Sequence, residues 1–113
     1  MGKIIISENA ISKLAALAAM ECYGVVGLVP ARMGDRFLSL LGKENLSRGI
    51  DVKINGKNIT INLYVILQGG VRVSEVANTI ISQVSYKMKK LTSIKNIDVN
   101  VIVKGVKREE HVG

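Results

Sequence analysis

A chain of 113 residues is the size of one domain, and 48% hydrophobic content with 4% aromatics and no Trp points to a core built from Ile, Val, Leu and Ala. A formal net charge of +7 favours an anionic partner: nucleic acid, a membrane surface or an acidic protein. Cys22 is the only cysteine and His111 the only histidine, which excludes an internal disulfide and argues against a zinc site.

Lys3–Ile6 reads as a short strand. Ser7 can N-cap the helix that follows, with Glu8 in its first turn. Ile11, Leu14, Ala15, Ala18 and Cys22 recur at helical spacing, while Leu17, Ala19 and Met20 widen the apolar face beyond one stripe. A face that wide implies deep burial or packing against a second chain. Gly24 is a natural stop, and Val25–Val29 reads as a strand. Pro30–Gly49 is expected to be a long loop with one helical turn at most.

Ile50, Val52 and Ile54 alternate with polar residues, and Ile59, Ile61, Leu63, Val65 and Leu67 continue the period of two. Asn55-Gly56-Lys57-Asn58 between them predicts a β-hairpin. Gly69-Gly70 ends the second strand, and Ser74 is placed to cap a helix of about 18 residues, or about 27 Å. Its apolar positions are Val76, Ala77, Ile80, Ile81, Val84, Met88 and Leu91. A last strand is expected over Asn96–Val103, with Ile102 interrupting its polar face. Lys104–Gly113 has no periodicity and reads as a tail. The domain proper is expected to cover 1–106, with a flexible tail over 107–113. The fold class that follows is α+β: two helices packed on one face of a small mixed sheet, in the order β-α-β-loop-β-β-α-β.

The residue types needed for catalysis are scarce. His111 lies in the expected tail and Cys22 on an apolar helix face, so no nucleophile stands beside a base. The nine acidic residues are scattered singly. Gly69-Gly70-Val71-Arg72 precedes a helix N-terminus that could hold a phosphate, but Glu75 would repel it. Gly24-Val25-Val26-Gly27 matches a bare GxxG, yet it runs into a strand and offers two valines where an RNA clamp lies against the backbone. No enzyme activity, metal or cofactor is expected. The candidate partner or anion surface is Arg32, Arg36 and Phe37 in the loop and Lys87, Lys89 and Lys90 in the second helix. The basic groups around Lys87–Lys95 and Lys104–Arg108 are separated by a strand of eight residues, about 26 Å, which would place them at opposite ends of the domain.

Several pieces together resemble the alkaline-shock-protein family of Gram-positive bacteria. They are Gly2-Lys3-Ile4-Ile5-Ile6-Ser7, Glu21-Cys22-Tyr23-Gly24-Val25-Val26-Gly27-Leu28, Gly49-Ile50-Asp51-Val52, Ile61-Asn62-Leu63-Tyr64-Val65, Val73-Ser74-Glu75-Val76-Ala77 and Val99-Asn100-Val101-Ile102-Val103-Lys104-Gly105-Val106. The resemblance implies a non-enzymatic protein linked to envelope stress or lipid homeostasis. It also implies that some members reach the inner membrane face through a separate membrane partner. This chain is basic and short, like the housekeeping relatives. The expected function is therefore a protein-interaction module, self-associating and cytoplasmic, with no transmembrane segment. Nucleic-acid binding is the first alternative, and binding of anionic membrane through Pro30–Gly49 is the second.

Overall fold

A computed structural model describes Gly2, residues 5–30 and residues 49–108. Six elements follow in chain order: α1 (Glu8–Met20), β1 (Val25–Leu28), β2 (Ile50–Asn55), β3 (Asn58–Gln68), α2 (Val73–Thr92) and β4 (Asn96–Lys107). The α+β class and the mixed sheet are as the sequence implies. Of the expected first strand, Ile5 and Ile6 belong to no strand, and Lys3 and Ile4 lie outside the described residues.

β3 organises the sheet. β4 pairs with it in parallel along its whole length, from Asn58↔Asn96 to Gln68↔Lys107. A parallel pair needs a crossover, and α2 supplies it. A strand has two edges, so β2 and β1 share the other one, both antiparallel to β3. β2 takes the first half, from Asn55↔Asn58 to Ile50↔Leu63. β1 takes the second, from Leu28↔Val65 to Val25↔Leu67. The Val29 N–H donates to the Tyr64 carbonyl at 2.9 Å, so the chain leaves this edge at Pro30 and rejoins it at Gly49, one rung away. Residues 31–48, the greater part of the expected loop, lie outside the described residues. The hairpin turns on Gly56 and Lys57. Gly56 has φ of +63° while Lys57 does not enter the left-handed region, the pattern of a type II′ turn.

Alternation along β3 sends Ile59, Ile61, Leu63, Val65 and Leu67 to one face, all buried. Both helices cover that face, α1 against β1 and β2 and α2 against β4, and they touch each other along the middle. From α2 the row Val76, Ile80, Val84 and Met88 enters the core. From α1 come Ile11, Ala15, Ala16, Ala18 and Ala19. Each large aliphatic side chain fully buried here stabilises the fold by roughly 1.5–3 kcal/mol. The wide apolar face of α1 is thus used within the chain, between α2 and the β1–β2 edge. Only Leu17 remains outside, 53% exposed.

Several local expectations change. The Ser7 hydroxyl does cap α1, accepting from the Ala10 N–H at 3.1 Å. Ser74 does not cap α2; the cap position is Arg72, with no side-chain hydrogen bond, and Ser74 sits in the first turn. Leu91 is 61% exposed rather than in the core. β4 continues through Lys107, four residues past its expected end, because Ile66, Leu67 and Gln68 go on offering partners to Gly105, Val106 and Lys107 beyond a bulge at Lys104.

Candidate interaction surface

The seam between the helices is a contoured surface, with two depressions along it. α1 ends in a tight reversal: the Cys22 N–H donates to the Ala19 carbonyl at 3.1 Å, and Gly24 takes φ of +88°. The left-handed residue turns the chain into β1 and leaves the preceding Tyr23 on the surface, 80% exposed. Across the seam α2 presents Thr79, Gln83 and Lys87, spaced four residues apart on one face.

Two shallow depressions adjoin here. One, of about 310 Å³, is lined by Ala18, Glu21, Cys22, Tyr23, Thr79, Gln83 and Lys87. The other, of about 280 Å³, lies between Tyr23 and the start of α2 at Arg72, Glu75 and Val76. Tyr23 and Thr79 line both. Charge at the seam is largely paired. Lys87 bridges to Glu21 across the two helices, and Arg72 meets Glu75 at 3.2 Å. The Arg72–Glu75 pair sets a carboxylate at the N-terminus of α2, where a phosphate would have to bind. Cys22 is buried, its thiol donates to the Ala18 carbonyl at 3.5 Å, and burial pushes its pKa up. A thiol so placed is a poor nucleophile.

Of the expected site residues, the structure describes Lys87, Lys89 and Lys90. Arg32, Arg36 and Phe37 lie outside the described residues, as does His111. Lys87 is held by Glu21 in the seam. Lys89 and Lys90 lie near the far end of α2, with the Lys90 ammonium 5.8 Å from the centre of the Tyr86 ring. The register Asn58↔Asn96 brings the hairpin turn to the same end as the start of β4. Lys57 and Lys95 therefore join Lys89 and Lys90 there, with Lys53 two residues before the end of β2. Lys104, Lys107 and Arg108 lie at the opposite end, beside Gln68. The basic stretch is two patches, as the strand length implied.

Sequence reasoning missed Tyr23, Thr79 and Gln83, and it missed Lys53 and Lys57 as members of the lysine-rich end. An exposed aromatic directly before a glycine turn was the available signal for Tyr23. Lys53 and Lys57 could be joined to Lys95 only by knowing that β3 and β4 are parallel. Among the described residues no group of three or more His, Cys, Asp or Glu side chains could hold a metal. No buried side chain there is polar or charged. No helix there is long and apolar enough to cross a membrane.

Comparison with known proteins gives a consistent picture. YloU of Bacillus subtilis (strain 168) is 36% identical over 107 residues, covering 94% of this chain and 89% of that protein. YqhY of the same organism is 28% identical over 109 residues, covering 94% and 78%. A stress response regulator gls24 homolog of Streptococcus pyogenes serotype M3 (strain ATCC BAA-595 / MGAS315) is 24% identical, covering 96% of this chain and 61% of that one. Among solved structures, a MamM-CTD variant superposes with a TM-score of 0.53 at 15% identity, over 92% of this chain and all of that one, a likeness of fold alone. A family model matches residues 1–108, so the chain belongs to the alkaline shock protein 23 family, whose function is related to the cell envelope.

Proposed function

We propose that this domain serves the cell envelope as a non-enzymatic, self-associating protein-interaction module, and that its helical seam receives a protein partner. The observation that carries this is Tyr23, standing 80% exposed between two depressions whose charged residues already pair with one another. Exposed tyrosines that can enter a partner's pocket are typical binding anchors, whereas a catalytic cleft needs a nucleophile, a base or a metal. Cys22, with its raised pKa, supplies none of these. A membrane-anchored partner would bring such a module to the inner membrane face from the cytoplasm.

The test is capture of partners from native lysate with the tagged full chain, with and without nuclease, at low and moderate salt. A defined protein retained after nuclease and lost with Tyr23→Ala is the expected result. Truncating an anchor tyrosine should weaken binding roughly 30-fold. Retention of nucleic acid alone would sink the reading.

A second reading rests on the lysine-rich end formed by Lys53, Lys57, Lys89, Lys90 and Lys95. A cluster of this kind suits a phosphate-bearing surface, either nucleic acid or anionic lipid. For duplex DNA, affinity would fall with salt at a log–log slope of about −0.9 per phosphate contacted. Lys57→Glu combined with Lys95→Glu would abolish it. Unchanged binding in that variant would exclude the lysine-rich end as the contact.

A further inference from the structure

β4 is an open edge. Among the described residues its one partner strand is β3, so the N–H and C=O groups along its outer side are left without strand partners. At 12 residues it is about twice the usual strand length. Natural edges of this kind are blunted by proline, charge or a bulge. Here the bulge comes only after Val103, where Val65 pairs with Val103 and Ile66 with Gly105, leaving Lys104 without a β3 partner. From Asn96 to Val103 the strand is regular and holds one charge, Asp98, and no proline. Its shoulder is also incompletely covered. On the helix face Leu63 and Val65 of β3 are fully buried, but their β4 neighbours Val101 and Val103 are only half-buried. Ala77 and Ile81 of α2, the helix packed on β4, are half-buried as well.

We propose that the outer edge of β4 pairs antiparallel with β4 of a second copy, about a two-fold axis through Val101, joining the two sheets into one. This rests on the self-association reading above and names the surface responsible. Charge decides the occupant and the register. Asp98 and Lys104 stand equally far from Val101, on either side of it. In an antiparallel pair centred there, Asp98 of each copy faces Lys104 of the other, and both charges are matched twice. Val99 then faces Val103 and Val101 faces its own mate, all on the helix side, where added contact covers the half-exposed shoulder. Asn100 faces Ile102 on the opposite side. Facing residues in an antiparallel pair share a side of the sheet, and this register respects that throughout the regular stretch. Centring the pair on Asn100 instead would set Asp98 against Ile102 and Lys104 against Asn96, leaving both charges unmatched. An interface built this way is isologous and closes as a dimer.

The test measures the mass of the full chain by light scattering and its dimer dissociation constant by sedimentation. Asp98→Lys and Lys104→Asp each create two like-charge contacts per dimer and should weaken association by roughly 10-fold. The combined variant restores opposite charges and should return to within about 3-fold of the parent. Both side chains are exposed, and circular dichroism verifies that each variant is folded. Independently, Val101→Cys in a Cys22→Ala background should form a disulfide-linked dimer on mild oxidation, because facing strand residues fall within disulfide reach. A parent dimer indifferent to both single reversals would overturn this interface while leaving self-association standing. Weakening by both without rescue in the double variant would overturn the register. A parent chain that stays monomeric at high concentration would overturn the interface and the self-association together.

Discussion

Gly24 lies against Val76 so closely that a β-carbon on Gly24 would meet both Val76 methyl groups at 3.3 Å. The contact joins the end of α1 to the first turns of α2 and sets the floor of the seam. Gly24 also holds φ of +88°, and its carbonyl accepts from the Gln68 N–H at 2.8 Å. A Gly24→Ala substitution would meet crowding and left-handed strain together. The expected loss is about 1–3 kcal/mol, read as a lower urea midpoint with an unchanged slope. Because Val76 bounds the seam, partner capture should weaken as well, though less than with Tyr23→Ala. A variant as stable as the parent would show that neither the crowding against Val76 nor the left-handed strain carries a cost here.

Gly49 is the tighter of the two positions. A β-carbon there would stand 2.6 Å from Leu28 Cβ and 2.8 Å from the Val29 nitrogen. The obstacle is largely backbone, so it cannot move aside as a flexible side-chain end would. Gly49→Ala should force the junction of β1 and β2 apart and cost about 2–4 kcal/mol. Hydrogen exchange would localise the damage. The Val29 amide, which donates to the Tyr64 carbonyl, should lose protection, while amides in the middle of α2 keep theirs.

These two glycines show where the sequence is readable and where it is not. The hairpin was legible because its alternation and its Asn-Gly turn both act within about a dozen residues. α2 was legible because Val76, Ile80, Val84 and Met88 repeat at one helical period. The sharing of one β3 edge by β1 and β2 was not legible. It depends on Gly49 meeting Val29 across residues 30–48, and nothing in either strand's pattern reports it. The length of β4 was missed for a related reason. Lys104 and Gly105 break its alternation, but the bulge restores pairing through Ile66, Leu67 and Gln68. The seam was half legible. The pieces containing Tyr23 and Glu75 each stood out in sequence, but their meeting is a product of packing.

Stability should fall at alkaline pH, and Cys22 supplies part of the reason. Burial holds its thiol above the usual range, so the folded chain keeps that proton when the unfolded chain has lost it. The contribution is complete below the ordinary thiol pKa and is lost as pH rises from about 9 through the folded value. Tyr64 acts in the same direction. Its hydroxyl donates to Asp51 Oδ2 at 3.0 Å, and that hydrogen bond, partial burial and the Asp51 charge all raise its pKa. The stability advantage of the parent over Cys22→Ala should therefore shrink as pH rises from about 8 to about 10.5. An advantage constant across that interval would show that Cys22 ionises equally in both states.

The bridge between Glu21 and Lys87 is a polar link across the seam, and its accessibility limits what it can contribute. The Glu21 side chain is 63% exposed and that of Lys87 34%. Water screens a pair this open, so a double-mutant cycle through Glu21→Gln and Lys87→Met should return a coupling of about 0.3–1 kcal/mol. The coupling should fade in about 1 M salt, where the screening length is about 3 Å. Its larger effect is on the surface itself. With Lys87 engaged, the depression beside Tyr23 presents no unmatched charge. Glu21→Gln releases that ammonium. If a protein docks on the seam, Glu21→Gln should then weaken capture while leaving the urea midpoint nearly unchanged. If nucleic acid docks there, the same substitution should strengthen binding, and that difference in sign separates the two partners.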